Sequence, residues 1–304
     1  MRMPVLRYAI GGALALSSSV FAQATDSTAR MIKVGTHVMH VRTAGFVNRQ
    51  PGTPAVVLEA GNGQTSETWG SLFANIAAFA PVVAYDRRGL GKSEWDSIPP
   101  TLESVARTTH AMLDAAGIAP PYIVAGHSLG GAFVRYFAGL YPKEVVGLIQ
   151  IDPTKTTSSL ARRRQAYVDA GATPEELARM YPTPRANVGD RAGVFASMML
   201  TPAWGQAFTN LPPIGDTPYA LLLSKQPQPP RSPAPTDRFD RDKIEAAARD
   251  EDDVTRVAGS PYHLLIVSTS AGHFIHRDEP TLTLAAFKRI VDFAAEVAAN
   301  APKK

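Results

Sequence analysis

The chain has 304 residues, 45% of them apolar and 19% charged, with a formal net charge of +4. That balance fits a globular protein with a sizeable core, in one large domain or two small ones. The basic residues are dispersed and form no stripe with interleaved aromatics, so nucleic acid is not an expected partner. The absence of cysteine excludes disulfides, a thiol nucleophile and a Cys-ligated zinc.

Residues 1–24 read as an export signal. Arg2 and Arg7 supply a positive start, and Tyr8 to Val20 is apolar or small but too short for a good membrane span. Ala22-Gln23-Ala24 matches the cleavage pattern, so the expected mature protein begins at Thr25, is periplasmic or secreted, and has no stable membrane span.

Arg30 to Arg42 alternates around a Gly35-Thr36 turn and predicts a hairpin, in which His37 and His40 are ordinary strand residues rather than a metal pair. Ala55–Ala60 predicts a buried strand ending at Gly61-Asn62-Gly63, followed by a helix over 68–79. Pro81–Tyr85 is the next strand, Thr101–Ala116 a helix stopped by Gly117, and Val145–Ile151 a strand ending at Asp152-Pro153. The alternation breaks over 153–215, which predicts a helical insertion carrying Phe195, Met198, Met199, Leu200, Trp204 and Phe208. The run Arg162-Arg163-Arg164 within it reads as a solvated helix face. Strand Tyr219–Leu223, a Pro-rich loop, a charged helix from about Arg238 to Val257, strand His263–Ser268 and a closing helix over about 281–299 complete the chain. Strands alternating with helices predict an α/β fold with a mostly parallel central sheet covered on both faces. The expected division is a core of 25–152 and 216–304 with the insertion between them.

The chain is organised around Tyr122-Ile-Val-Ala-Gly-His-Ser-Leu-Gly-Gly131. Here G-x-S-x-G lies between an apolar run and an amphipathic stretch beginning at Ala132, the strand–turn–helix arrangement of a nucleophile elbow. A serine there must sit on a turn sharp enough to lift its hydroxyl clear of the sheet. Strand and helix then run so close that positions 126 and 130 have no room for a side chain. The helix behind Ser128 aims unpaired N–H groups at the site, which suits a developing oxyanion.

Three motifs in order resemble the α/β-hydrolase fold family over about residues 30–300: Asp86-x-Arg88-Gly89-x-Gly91-x-Ser93, Gly126-His127-Ser128-Leu129-Gly130-Gly131, and Gly272-His273-Phe274. The resemblance implies Ser128 as nucleophile and His273 as general base. It also implies an oxyanion hole made of the Leu129 N–H and one donor from the loop after Ala55–Ala60. That loop has Ala60-Gly61 where many family members carry His-Gly, so Asn62 is the implied donor and Gly63 the alternative. Position supports His273 independently, because it follows a strand end on the carboxyl edge of the sheet, as His276 does less directly. His127 and His110 read as structural. The triad acid has two candidates. The usual family position is the loop after Tyr219–Leu223, which holds no carboxylate before Asp237. Asp152 stands directly after the strand that follows the elbow helix, and some family members use that position.

No cofactor or metal is expected. Gly91-Lys92-Ser93 resembles the end of a phosphate-binding loop, but position 86, where the first glycine is required, is Asp. Gly61-x-Gly63 lacks the third glycine of a dinucleotide fingerprint, position 66 being Ser. The expectation is a serine hydrolase acting on a small ester-like substrate whose apolar part meets the Met, Phe and Trp side chains of the insertion. Those side chains could equally form the insertion's own core. A serine at the elbow argues against the family's dehalogenases and epoxide hydrolases, which use Asp there. Aminopeptidase, lactonase, acyltransferase and C–C hydrolase activities stay open, and a non-catalytic binding protein is the contrasting class. The sequence does not specify an oligomeric state.

Overall fold

Short apolar runs between amphipathic stretches fold into one eight-stranded sheet with helices on both faces. The computed structural model describes residues 26–95, 100–154, 159–180, 211–224 and 262–300, together with 194–195, 204, 207–208, 238–240 and 243–244. The strands are β1 (Thr28–Val34), β2 (His37–Ala44), β3 (Ala55–Glu59), β4 (Val82–Tyr85), β5 (Tyr122–His127), β6 (Val145–Ile151), β7 (Tyr219–Ser224) and β8 (His263–Ser268). Their order is β1-β2-β4-β3-β5-β6-β7-β8. β2 runs antiparallel to both of its neighbours, and every other pairing is parallel. The β1–β2 hairpin turns at Gly35, whose φ of 59° lies in the left-handed region that glycine enters without steric cost.

The helices described over their full length are α1 (Gly70–Ala77, after a 3₁₀ turn at Ser66–Trp69), α2 (Leu102–Ala115), α3 (Leu129–Leu140), α4 (Ser159–Asp169), α5 (Pro174–Met180), α6 (Ile275–Asp278) and α7 (Pro280–Asn300). Thr101 starts α2 by accepting from the Ser104 N–H at 3.0 Å while Ser104 Oγ accepts from the Thr101 N–H at 2.7 Å, a reciprocal cap that satisfies two otherwise orphaned donors. α3 starts at Leu129 rather than at the expected Ala132, because Ser128 itself is its N-cap.

Alternate strand residues feed two cores. Val56, Leu58, Ala84, Ile123, Ile149 and Leu222 point to the face covered by α1 and α7, where Phe73, Ile76, Phe287 and Ile290 meet them. Val57, Val83, Tyr122, Val124, Leu148 and Leu221 point to the face covered by α2 and α3. Double burial is why the central strands are continuously apolar rather than alternating. It also leaves the carboxyl ends of β3, β5, β6, β7 and β8 as the edge where polar chemistry can collect.

Of the insertion, α4 and α5 bury Tyr167 and Leu177 against Ile244 and Phe239, a separate small core that takes in residues from beyond β7. Phe195 and Trp204 belong instead to a buried cluster with Leu129 and Phe133 of α3, in which Phe195 meets the Phe133 ring. Phe195 and Trp204 are therefore not part of that small core. Met198, Met199 and Leu200 lie outside the described residues, as do residues 1–24, Asp237 and most of the expected charged helix.

Candidate active site

β5 ends at His127, and the chain turns into α3 through Ser128, which has φ 53° and ψ −120°. A non-glycine residue in that region is strained, and such strain persists only where the surroundings enforce it. Here they do. A side chain at Gly126 would collide with the Gly130 carbonyl, and one at Gly130 would collide with the Glu59 and Ala60 carbonyls. The Ser128 N–H donates to the Ile151 carbonyl at 3.0 Å, and the Ser128 carbonyl accepts from the N–H groups of Gly131 at 2.9 Å and Thr154 at 2.8 Å. Leu129 opens α3, so its N–H is among those a helix cannot pair internally.

The β5–β6 register pairs His127 with Ile151. The next residue on each strand is therefore Ser128 on one side and Asp152 on the other. Asp152 also has a positive φ, 40°. Its N–H donates to the Leu222 carbonyl at 2.7 Å, its Oδ1 accepts from the Ser224 N–H at 3.1 Å, and its Oδ2 lies 2.6 Å from His273 Nδ1. The two side chains are partly open, at 20% and 17% of their full exposure. With Nδ1–H committed to the carboxylate, the remaining ring nitrogen, Nε2, is the basic one. Ser224 Oγ further donates to the Ala271 carbonyl at 2.7 Å, which ties the end of β7 to the loop that carries His273.

The loop after β3 is held from inside. The Gly61 N–H donates to Gln64 Oε1 at 3.1 Å, and the Gln64 N–H returns to the Gly61 carbonyl at 3.3 Å. The buried Arg87 guanidinium donates to Glu59 Oε1 and to the carbonyls of Ala60 and Gly61. Asn62 and Gly63 are exposed at the tip.

His127 is buried and structural, as expected, but its job is specific. Its Nε2 donates to the His273 carbonyl at 2.9 Å, and its Nδ1 lies 3.1 Å from Gln64 Oε1. The ring is thus hydrogen-bonded to the His273 loop and sits against Gln64 of the Asn62 loop. His276 packs on it at 4.5 Å between ring centroids. Burial, with help from His276 and His273, depresses the His127 pKa well below the usual imidazole range. Burial, then the Arg277 and His273 charges, pull His276 down to about 3. Both are neutral bases locked behind His273. His276 is thus not a second candidate base on the open edge.

The Asp86 motif is a brace. Asp86 Oδ1 accepts from the Ser66 N–H at 2.7 Å, while Oδ2 accepts from the Lys92 N–H at 3.0 Å and faces His40 Nδ1 at 3.1 Å. His40 therefore serves the motif as a strand residue. Gly91 has φ 54°, and a side chain there would meet the Asp86 carboxylate. Sequence reasoning missed Glu59, Arg87, Gln64 and Ser224. A usable signal existed for Glu59, an acid in the middle of a buried apolar strand, which must have a partner.

A family model described as the alpha/beta hydrolase family matches residues 56–287, most of the chain, from β3 into the start of α7. The chain belongs to the alpha/beta hydrolase family. Among curated relatives, Lipase LipV of Mycobacterium tuberculosis is 33% identical over 140 residues, 46% of this chain and 50% of the relative. Protein YqjL of Bacillus subtilis is 34% identical over 98 residues, 32% of this chain and 39% of that one. The matched stretches span half or less of those relatives' own length. Among solved structures, a haloalkane dehalogenase DbeA loop variant from Bradyrhizobium elkanii superposes with a TM-score of 0.62 at 18% identity, covering 90% of this chain and 99% of its own. The 2-hydroxy-6-oxo-6-phenylhexa-2,4-dienoate hydrolase of Rhodococcus gives 0.57 at 18% identity, covering 87% and 99%. At that identity the family hydrolases share the fold with this chain, and the chemistry must be argued from its own residues. No helix among the described residues is long and apolar enough to cross a membrane.

Proposed function

We propose that this family member is a serine hydrolase that cleaves a carboxylic ester, or a related acyl bond, of a small molecule with an apolar portion. The observation that carries the reading is the register of β5 and β6, which sets strained Ser128 beside Asp152, with Asp152 in turn 2.6 Å from His273. Ser128 Oγ attacks the carbonyl carbon while His273 Nε2 takes its proton. Asp152 holds the Nδ1–H and stabilises the imidazolium that forms. The oxyanion is held by the N–H groups of Leu129 and Asn62. Collapse expels the alcohol, which takes the proton back from His273. A water molecule then repeats the sequence on the acyl-enzyme and releases the acid. Phe195 and Trp204, in one buried apolar cluster with Leu129 and Phe133, support an apolar acyl or alcohol group near the oxyanion site.

A fluorophosphonate probe is the first test. It should label the wild type and leave Ser128→Ala unlabelled, and full labelling of the folded mutant would sink the assignment. A panel of ester, amide and lactone substrates on the purified protein decides the acyl bond. Residues 1–24 as an export signal belong to the same proposal. Protein from the native host should then begin at Thr25, whereas a soluble cytoplasmic form with Met1 intact would contradict it.

A further inference from the structure

We propose that Arg87, anchored by Glu59, is the positioning residue that sets the second oxyanion donor. The inference rests on the serine hydrolase reading above. Arg87 touches no reacting atom. It grips the main chain of the loop that does.

The geometry runs through the peptide plane. In a trans peptide the C=O and the following N–H point in opposite directions. Arg87 donates to the Ala60 carbonyl, which turns the Gly61 N–H away from it, and that N–H is taken by Gln64 Oε1 at 3.1 Å. Arg87 donates also to the Gly61 carbonyl, which turns the Asn62 N–H away from the protein interior. With Gly61 N–H occupied, the donor presented outward is Asn62, at the exposed tip. Arginine suits this task because its planar fork reaches two acceptors at once, whereas a lysine ammonium is a point charge. The guanidinium is itself fixed. Its Nη1 pairs with Glu59 Oε1, both side chains being at most 3% exposed. Its face lies 5.3 Å from the Phe133 ring on α3 and 5.2 Å from Phe195 of the insertion. The Tyr85 hydroxyl donates to the second Glu59 oxygen. One buried cation therefore couples the oxyanion loop, the nucleophile's helix and the insertion.

The test uses two variants and a thionoester. Sulfur is a poor hydrogen-bond acceptor, so an enzyme with a well-set oxyanion hole prefers the oxygen ester strongly over its thiono analogue. Glu59→Gln/Arg87→Met removes both charges together and leaves the Tyr85 hydroxyl an acceptor. Arg87→Lys keeps the pairing with Glu59 but loses the fork. Both should fold by circular dichroism, and both should still be labelled at Ser128 by the fluorophosphonate, though more slowly. Their kcat on the oxygen ester should fall by about 10²-fold, the usual cost of misplacing a catalytic group by about 1 Å, with KM changed little. The ester-to-thionoester preference should shrink in parallel, which a merely structural role would not cause. Folded variants with wild-type kcat and wild-type preference overturn the proposal. So does failure of both variants to fold, which would make the pair a folding element. If the wild type itself resists the probe, it is the hydrolase reading that fails, before any Arg87 variant is compared.

Discussion

Two carboxylate–cation pairs flank β5, and they differ in one respect. On the β3 side, Glu59 lies opposite Gly126 and pairs with Arg87, both almost wholly buried. On the β6 side, Asp152 follows the residue opposite His127 and pairs with His273, both about one-fifth open. Burial pushes the Glu59 carboxyl above its usual range, with the Arg87 charge pulling it back. Neither member of that pair meets solvent, so it can hold backbone but cannot exchange protons during a reaction. The Asp152–His273 pair is partly open to solvent and, in the proposed reaction, passes a proton on through the second ring nitrogen. Access to solvent, more than the strength of either pair, separates scaffold from chemistry.

Breaking the open pair, or removing the serine it serves in the proposed reaction, should have the largest effect on activity. Ser128→Ala should remove covalent labelling and lower kcat by about 10⁶, the loss seen when a triad nucleophile is deleted. Asp152→Asn should keep the fold but favour the wrong imidazole tautomer, lowering kcat by about 10⁴, while Asp237→Asn costs little. Measuring kcat for both aspartate variants on one ester checks this, and a large loss confined to Asp237→Asn would reverse the choice of acid. Breaking the sealed pair should instead show in stability. Arg87→Met alone leaves Glu59 buried without a cation and should cost about 3–5 kcal/mol of unfolding free energy, whereas Glu59→Gln/Arg87→Met should recover most of it. Urea denaturation measures both, and a double variant no more stable than the single would mean that the loss is one of packing and not of charge.

How much of this was legible in the sequence follows the same division. The elbow, the strand that precedes it and β6 were readable because doubly buried parallel strands are apolar runs with turn residues at their ends, and β8, a half-exposed edge strand, carries the same apolar run. The pairing of Asp152 with His273, 121 residues apart, was a guess about position that the β6–β7–β8 register turned into a 2.6 Å contact. The sealed pair was not legible. Arg87 lies in a motif whose other members drew attention, and Glu59 looked like one polar letter in a strand. Local periodicity cannot say that the ends of β3 and β4 are neighbours, and only the sheet order brings those two residues together. His127 was assigned to packing. Its close contacts run to residues 63 and 146 positions away, beyond any local pattern.

A third kind of group sharpens the comparison, a base sealed without a partner charge. His276 is buried on Trp69 and His127, and neither of its ring nitrogens has a hydrogen-bond partner among the described residues. Its pKa is pulled from 6.5 to about 3, with burial the leading cause. The sign follows from linkage. Between pH 6.5 and 3 the unfolded chain holds a proton on this ring and the native chain does not, so stability is fully present above the unfolded value and is lost as pH falls. The slope from one such group is about 1.4 kcal/mol per pH unit. His127, depressed in the same direction, adds to it. His276→Phe keeps a flat ring against Trp69 and removes the titration. Urea unfolding of wild type and variant at pH 6, 5 and 4 should give two lines that diverge, the variant losing less stability per unit by about the contribution of one proton. Parallel lines would mean that His276 is protonated in the native state at ordinary acidity, and that water reaches the space behind the open pair after all.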